Sequence, residues 1–159
     1  MGKKIISRNV LSRNVYIIIT AIAVICIMLS ILIQSEKSQY LSNQQTFCSI
    51  LTGSDGCQTV QTSRYSSILG VSNPIYGIAG FALLAVLSGI SIFKRYKTIN
   101  HMIIAGSIIA SSLAAYFLYL QTFVIHAYCI FCVIVDVSSF VLLGIVIYLL
   151  FICSSSKHK

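Results

Sequence analysis

Residues 127–153 read AYCIFCVIVDVSSFVLLGIVIYLLFIC, an apolar run whose one acid is Asp136. About 20 mostly apolar residues in a helix cross roughly 30 Å of hydrocarbon. Ala127–Cys153 exceeds that length, with room for tilt or for a turn outside the core. Working outward, Val15–Ile33 and Ile75–Phe93 contain no charged residue, and His101–Leu120 has only His101 at its edge. The chain therefore reads as four membrane spans. The first is not a cleaved secretory signal: its apolar run is too long, and no small-x-small cleavage site follows in Gln34–Ser38. It reads as a signal anchor. Gly106, Ala110 and Ala114 recur every four positions, as do Ser107, Ser111 and Ala115, a spacing that lets helices approach closely in lipid.

Composition agrees. Of 159 residues, 57% are hydrophobic and 9% charged, against roughly 45–50% and 25% in soluble domains. So few charges cannot cover a water-soluble surface, which excludes a soluble enzyme, a disordered chain and, despite a net charge of +8, a nucleic-acid binder. The charge has a topological meaning instead. Lys3, Lys4, Arg8, Arg13, Lys94, Arg95, Lys97, Lys157 and Lys159 fall on one side of the four spans, and only Lys37 and Arg64 on the other. By the positive-inside rule both termini are cytoplasmic. The expected molecule is an all-α integral membrane protein of the cell membrane: a four-transmembrane-helix bundle formed as one domain over residues 1–159. Its sizeable extracytoplasmic region is the loop 34–74, read as a cap with a Gly53–Gly56 turn and a short helix from Thr59 to Leu69. In that helix Val60, Ile68 and Leu69 would form a membrane-facing side. Asn73-Pro74 closes the loop and opens the second span, with proline in the first helical turn. A second outer connection, Gln121–His126, is short.

Six cysteines are the chemically informative feature. Cys26 lies mid-span and Cys153 at a cytoplasmic helix end, where cysteine serves as a small hydrophobe. Cys48, Cys57, Cys129 and Cys132 gather on the outer side, where disulfides persist. They admit three readings: a static disulfide framework, a four-cysteine metal site, or a dithiol relay. The spacing C-x8-C, with no His-rich partner nearby, argues against metal. Cys129 and Cys132 are one helical turn apart, about 4.5 Å along the axis. A disulfide between adjacent turns constrains little, so it is better explained by being made and broken. A helix N-terminus near Cys129 would also favour its thiolate. A C-x-x-C opening into a bundle at the outer leaflet is placed to meet a lipid-soluble oxidant, and no nucleotide or flavin motif is present. A quinone partitions into the bilayer and takes two electrons, the number a dithiol releases. Asp136 lies four residues after Cys132 on the same helix face, about 6 Å deeper. An acid at that depth is a functional candidate by default, and burial would keep it protonated as a proton donor to the quinone. His126 and Tyr116, Tyr119 and Tyr128 read as interfacial residues.

Cys48, Cys57, Ser63, the run Ser72-Asn73-Pro74-Ile75-Tyr76-Gly77 and Cys129-x-x-Cys132, ordered along four spans, resemble the vitamin K epoxide reductase family, including its bacterial and archaeal homologues. The resemblance implies a four-helix bundle with an extracytoplasmic cap over a quinone pocket. It implies oxidation of a thioredoxin-like partner at the loop cysteines and reduction of a quinone (ubiquinone, menaquinone or similar) at the C-x-x-C. Cys132 would meet the quinone, Asn73 would hydrogen-bond a quinone carbonyl, and Ser63 matches a family Ser/Thr near the reaction centre. No metal is implied. Many bacterial relatives carry a fused thioredoxin-like domain; here the partner is expected to be a separate extracytoplasmic protein. Asp136 stands where some animal members have tyrosine.

The expected activity is that of a membrane thiol:quinone oxidoreductase generating disulfide bonds. A compact chain without an ER-retrieval signal favours that expectation over reduction of a vitamin K-type quinone epoxide. A non-catalytic membrane protein with a disulfide-stapled outer loop is the alternative of another class.

Overall fold

The structure, a computed structural model, describes residues 2–41, 48, 50, 56–94 and 97–154. Helix α1 spans Gly2–Leu41. The short helix α2 spans Gly56–Thr62, and strands β1 (Ser67–Ile68) and β2 (Val71–Ser72) form an antiparallel hairpin. Helix α3 is Asn73–Phe93 and α4 is Lys97–Tyr119. Helix α4 runs on into a π-helical turn, Leu120–Ile125, before α5, Ile130–Ser154. Four of these helices are long and apolar enough to cross a membrane, over Arg13–Gln39, Asn73–Phe93, Thr98–Ile125 and Ile130–Phe151. The protein is a multi-pass membrane helix bundle.

The helices outrun the apolar stretches that announced them, because hydropathy marks the hydrocarbon and not the helix. No glycine or proline interrupts residues 3–52, so α1 persists for 40 residues, about 60 Å at 1.5 Å per residue. That is twice the hydrocarbon thickness, and the excess carries Glu36 and Lys37 up into the cap. At the other outer corner, α4 ends only where His126 adopts a left-handed conformation, φ 53°. The connection expected at Gln121–His126 is therefore mostly helical, and α5 begins at Ile130 rather than Ala127.

The bundle core takes one buried stripe from each long helix: Tyr16, Ile19 and Cys26 from α1, Phe81 and Leu84 from α3, Ile103 from α4, and Leu142 and Val146 from α5. Helix α1 packs along α3 and also touches α5. Polar latches replace water inside it. The Tyr16 hydroxyl donates to Asn100 Oδ1 at 2.8 Å, and Thr20 Oγ1 and Ser88 Oγ are hydrogen-bonded at 2.8 Å. The close-packing role of the small residues is visible at Gly106, where a Cβ would meet Leu84 at 3.4 Å.

The cap corrects one expectation. The helix placed at Thr59–Leu69 lies earlier, at Gly56–Thr62, and the rest of that segment is the hairpin. Leu69 (φ 52°) and Gly70 (φ 80°) are both left-handed, the two-residue reversal that matches strand twist and that no helix accommodates. Val60 therefore packs inward against cysteines while Ile68 and Leu69 are exposed, and the three do not share a helix face. Of the Gly53–Gly56 turn only Gly56 is among the described residues, as the first residue of α2, and the polar start of the loop, residues 42–47, falls outside them.

Candidate active site

Lys37 Nζ, near the outer end of α1, donates to Ser66 Oγ (3.3 Å) and Ser72 Oγ (3.1 Å), fastening the base of the hairpin. Asn73 ties the hairpin to α3: its backbone N–H donates to Ser66 O at 3.0 Å and its Nδ2 to Tyr65 O at 2.8 Å. The Tyr76 hydroxyl donates to Ile68 O at 3.1 Å. Pro74 occupies the first turn of α3, where its missing N–H costs nothing. The hairpin is thus held over the outer end of the bundle.

Next to it lie the sulfurs. Cys48 and Cys57 are joined by a disulfide, which with Cys129 forms a buried cluster flanked by Val60, Phe131 and Cys132. Two contacts seat the disulfide there. The Cys48 N–H donates to Glu36 Oε2 at 3.1 Å. At Gly56, the first residue of α2, a Cβ would stand 2.7 Å from Tyr128 O; only glycine lets α2 come so close to the residue before Cys129.

Cys129 precedes the first residue of α5 and caps it. Its carbonyl accepts from Val133 N–H at 2.9 Å, and its Sγ accepts from Cys132 N–H at 3.3 Å, the position a serine hydroxyl takes at a helix N-cap. Cys132 Sγ donates to Cys129 Sγ at 2.6 Å. The hydrogen bond from Cys132 is the main cause that draws the Cys129 thiol below its ordinary value, against burial, which pushes it up. Backbone N–H groups and Gln61 add to the lowering. A sulfur that accepts several hydrogen bonds at a helix start is a sulfur whose thiolate is favoured.

Below the hairpin is an apolar cavity of about 550 Å³, within the range of small-molecule sites. Cys132 lines it and Cys129 does not. Ser63, Asn73 and Asp136 also line it, on the cap, α3 and α5, together with Lys37 and Gln121. All three non-cysteine residues singled out in the sequence thus border one space with Cys132. Their states differ. Ser63 Oγ donates to Val60 O at 2.7 Å, at the end of α2. Asn73 Oδ1 is buried with no hydrogen-bond partner. Asp136 is buried, with Gln121 Nε2 donating to its Oδ2 at 3.5 Å. Cys26 lies apart, in the bundle core. His126 ends the π-helical turn. Tyr116, Tyr119 and Tyr128 are exposed, as residues of an interfacial belt would be.

Sequence reasoning missed Glu36, Gly56, Gln61 and Gln121. Glu36 had a signal, being one of only three acids in the chain. A close backbone approach at a glycine and a buried amide on a π-helical turn have none, since both depend on what folds against them.

A multispan helical bundle carrying a capped disulfide, a dithiol pair and an apolar cavity at one end defines a membrane redox protein. The sequence model of the vitamin K epoxide reductase family matches residues 17–147, and the chain belongs to that family.

Proposed function

We propose that the protein is a thiol:quinone oxidoreductase that makes disulfide bonds. Electrons pass from a separate thioredoxin-like extracytoplasmic partner to Cys48 and Cys57, then to Cys129 and Cys132, and on to a quinone of the ubiquinone or menaquinone type. The observation carrying this reading is the continuity of sulfur. The Cys48–Cys57 disulfide packs on Cys129, Cys129 touches Cys132, and Cys132 borders the cavity. A disulfide that only stapled the loop would have no need of that contact.

The cavity fits a quinone on its own evidence. It is apolar and of suitable volume, and the buried Asn73 Oδ1 needs a donor, such as the O–H of a reduced quinone. When bound, the quinone supplies an acceptor for two electrons and two protons. The remaining work belongs to side chains. Thiolate attack through mixed disulfides passes two electrons from pair to pair: the partner dithiol is oxidised as it reduces Cys48–Cys57, and the loop thiols are reoxidised as they reduce the Cys129–Cys132 disulfide. Cys129 is the exchange cysteine, packed on the loop disulfide, and Cys132 is the electron donor at the cavity. Oxidising the Cys129–Cys132 dithiol to its disulfide releases two electrons and two protons, the same numbers the acceptor takes, so the step balances within the site. Asp136 carries protons between them: a carboxyl at membrane depth is cheapest as the neutral acid, able to give a proton to the quinone oxygen and recover one from a thiol. Ser63 and Asn73 shape the cap side of the cavity.

Thiol trapping tests this reading. When quinone is withdrawn and the partner keeps supplying electrons, Cys129, Cys132 and the loop pair should accumulate as thiols. A loop pair that stays oxidised under those conditions is a staple, and the proposal fails. Asp136→Asn should slow quinone reduction and alter its pH dependence while the cysteines still exchange disulfides; unchanged turnover and pH profile would return Asp136 to a packing role.

A further inference from the structure

Gln121 joins the two halves of this site and belongs to neither motif. It is 2% exposed and sits on the π-helical turn Leu120–Ile125, a rare distortion that is frequent at functional sites. Its Oε1 accepts the Cys129 backbone N–H at 3.0 Å. Its Nε2 donates to Asp136 Oδ2 at 3.5 Å. The orientation of the amide is fixed by chemistry, since a backbone N–H can be met only by the oxygen. The NH2 group therefore must face Asp136. The planar amide spans from the exchange cysteine to the acid bordering the cavity.

Resting on the reading of Asp136 as the proton carrier, we infer that Gln121 is the positioning residue that selects which oxygen of Asp136 bears the proton. Oδ2 accepts from Nε2, so in the neutral acid the proton sits on Oδ1, and Oδ1 is the oxygen that delivers it. After delivery Asp136 is a carboxylate, and a hydrogen bond to a charged acceptor is shorter and stronger than one to a neutral acid. The 3.5 Å contact is long enough to tighten at that moment, holding the charge until a thiol proton restores the acid. Because the amide is rigid, its tightening toward Asp136 also draws on the Cys129 N–H. Proton transfer at the cavity and the placement of the exchange cysteine are linked through one side chain.

Infrared spectra of the full chain in nanodiscs, free of quinone, read this directly. The carbonyl band lost in Asp136→Asn identifies the neutral acid. In Gln121→Met, which keeps the volume and removes the amide, that band should shift to higher frequency because its carbonyl oxygen has lost a donor. A band present but unmoved overturns the inference while leaving Asp136 as carrier. The absence of any carbonyl band lost in Asp136→Asn overturns the carrier reading and this inference with it. Should Gln121→Met not assemble, Gln121→Glu serves: it keeps an acceptor for the Cys129 N–H and changes the group facing Asp136, so the band must again move. In turnover, Gln121→Met should lower kcat about tenfold, which corresponds to about 1.4 kcal/mol, with KM for quinone within about twofold. For the double-mutant test Gln121→Glu is used, because it keeps the acceptor for the Cys129 N–H; added to Asp136→Asn it should cost nothing more, since the proton it orients is already gone. Losses that multiply would mean Gln121 acts elsewhere and would overturn the proposal.

Discussion

Cys129 and Cys132 are three residues apart and are given different work by their neighbours. Cys129 caps α5, with hydrogen bonds from Cys132 reaching its sulfur; Cys132 borders the cavity. A thiol drawn below its ordinary value is a thiolate over a wider pH range. In the reduced protein, thiolate ultraviolet absorbance should therefore show one sulfur titrating below the usual thiol value of about 8.5, and Cys132→Ala should move that titration upward by removing the leading hydrogen bond. The linkage has a definite sign. A lowered native value stabilises the reduced fold as pH rises from that value toward the ordinary one, and the gain is lost as pH falls through the lowered value. Cys26 has none of these partners. It is buried in the bundle core, away from the cavity, so Cys26→Ser should retain most turnover, whereas Cys129→Ser and Cys132→Ser should each abolish it. Equal damage from Cys26→Ser and Cys132→Ser would mean that this division of the cysteines is wrong.

Among the elements, α2 shows how much depends on a single missing methyl. Gly56→Ala places a Cβ 2.7 Å from the Tyr128 carbonyl oxygen, a contact that only a backbone shift can relieve. Helix α2 carries Cys57, so the loop disulfide must withdraw from Cys129. The expected result is a large drop in the mixed disulfide trapped between the loop and Cys129 in a Cys132→Ser background. Reduction of the Cys129–Cys132 pair by a small dithiol should be much less affected. Equal trapping with and without Gly56→Ala in that background would show that the close approach does not govern the transfer. This contact also marks where the sequence stopped being readable. The four long helices were legible because lipid imposes a length and a hydropathy that twenty residues express by themselves. The start of α3 was legible because Asn73-Pro74 is local chemistry. The hairpin reads as helix because Val60, Ile68 and Leu69 are apolar residues of one short segment, and the left-handed pair Leu69-Gly70 carries only its glycine as a warning. The sequence points to the cavity residues Ser63, Asn73 and Asp136, Asp136 by its cost in lipid and the other two by family resemblance. Gln121 and Glu36 act through partners eight to fifteen residues away in the chain, contacts that exist only once the helices have packed.

For the molecule as a whole, the distribution of basic residues bears on which way it faces. Basic residues within short connections resist translocation, and in the sequence nine of the eleven fall in the N-terminal segment, the connection between the second and third spans, and the tail after the fourth. Lys37 is one of the two exceptions, and it reaches Ser66 and Ser72 in the cap, placing it at the same end as the hairpin and the cavity. We therefore propose that the sulfurs face the extracytoplasmic side, where exported proteins need disulfides and where glutathione does not reduce them. Leu69, at the hairpin tip, is 94% exposed, and Lys94 follows α3 at the opposite end. A membrane-impermeant maleimide applied to intact cells should label Leu69→Cys and spare Lys94→Cys, while both should react once the membrane is opened. The native cysteines Cys26, Cys48, Cys57 and Cys129 are buried, so labelling of the parent chain sets a low background. The reverse pattern would put the redox centre on the reducing side. There the Cys48–Cys57 pair would be held as thiols, and disulfide formation could not be its task.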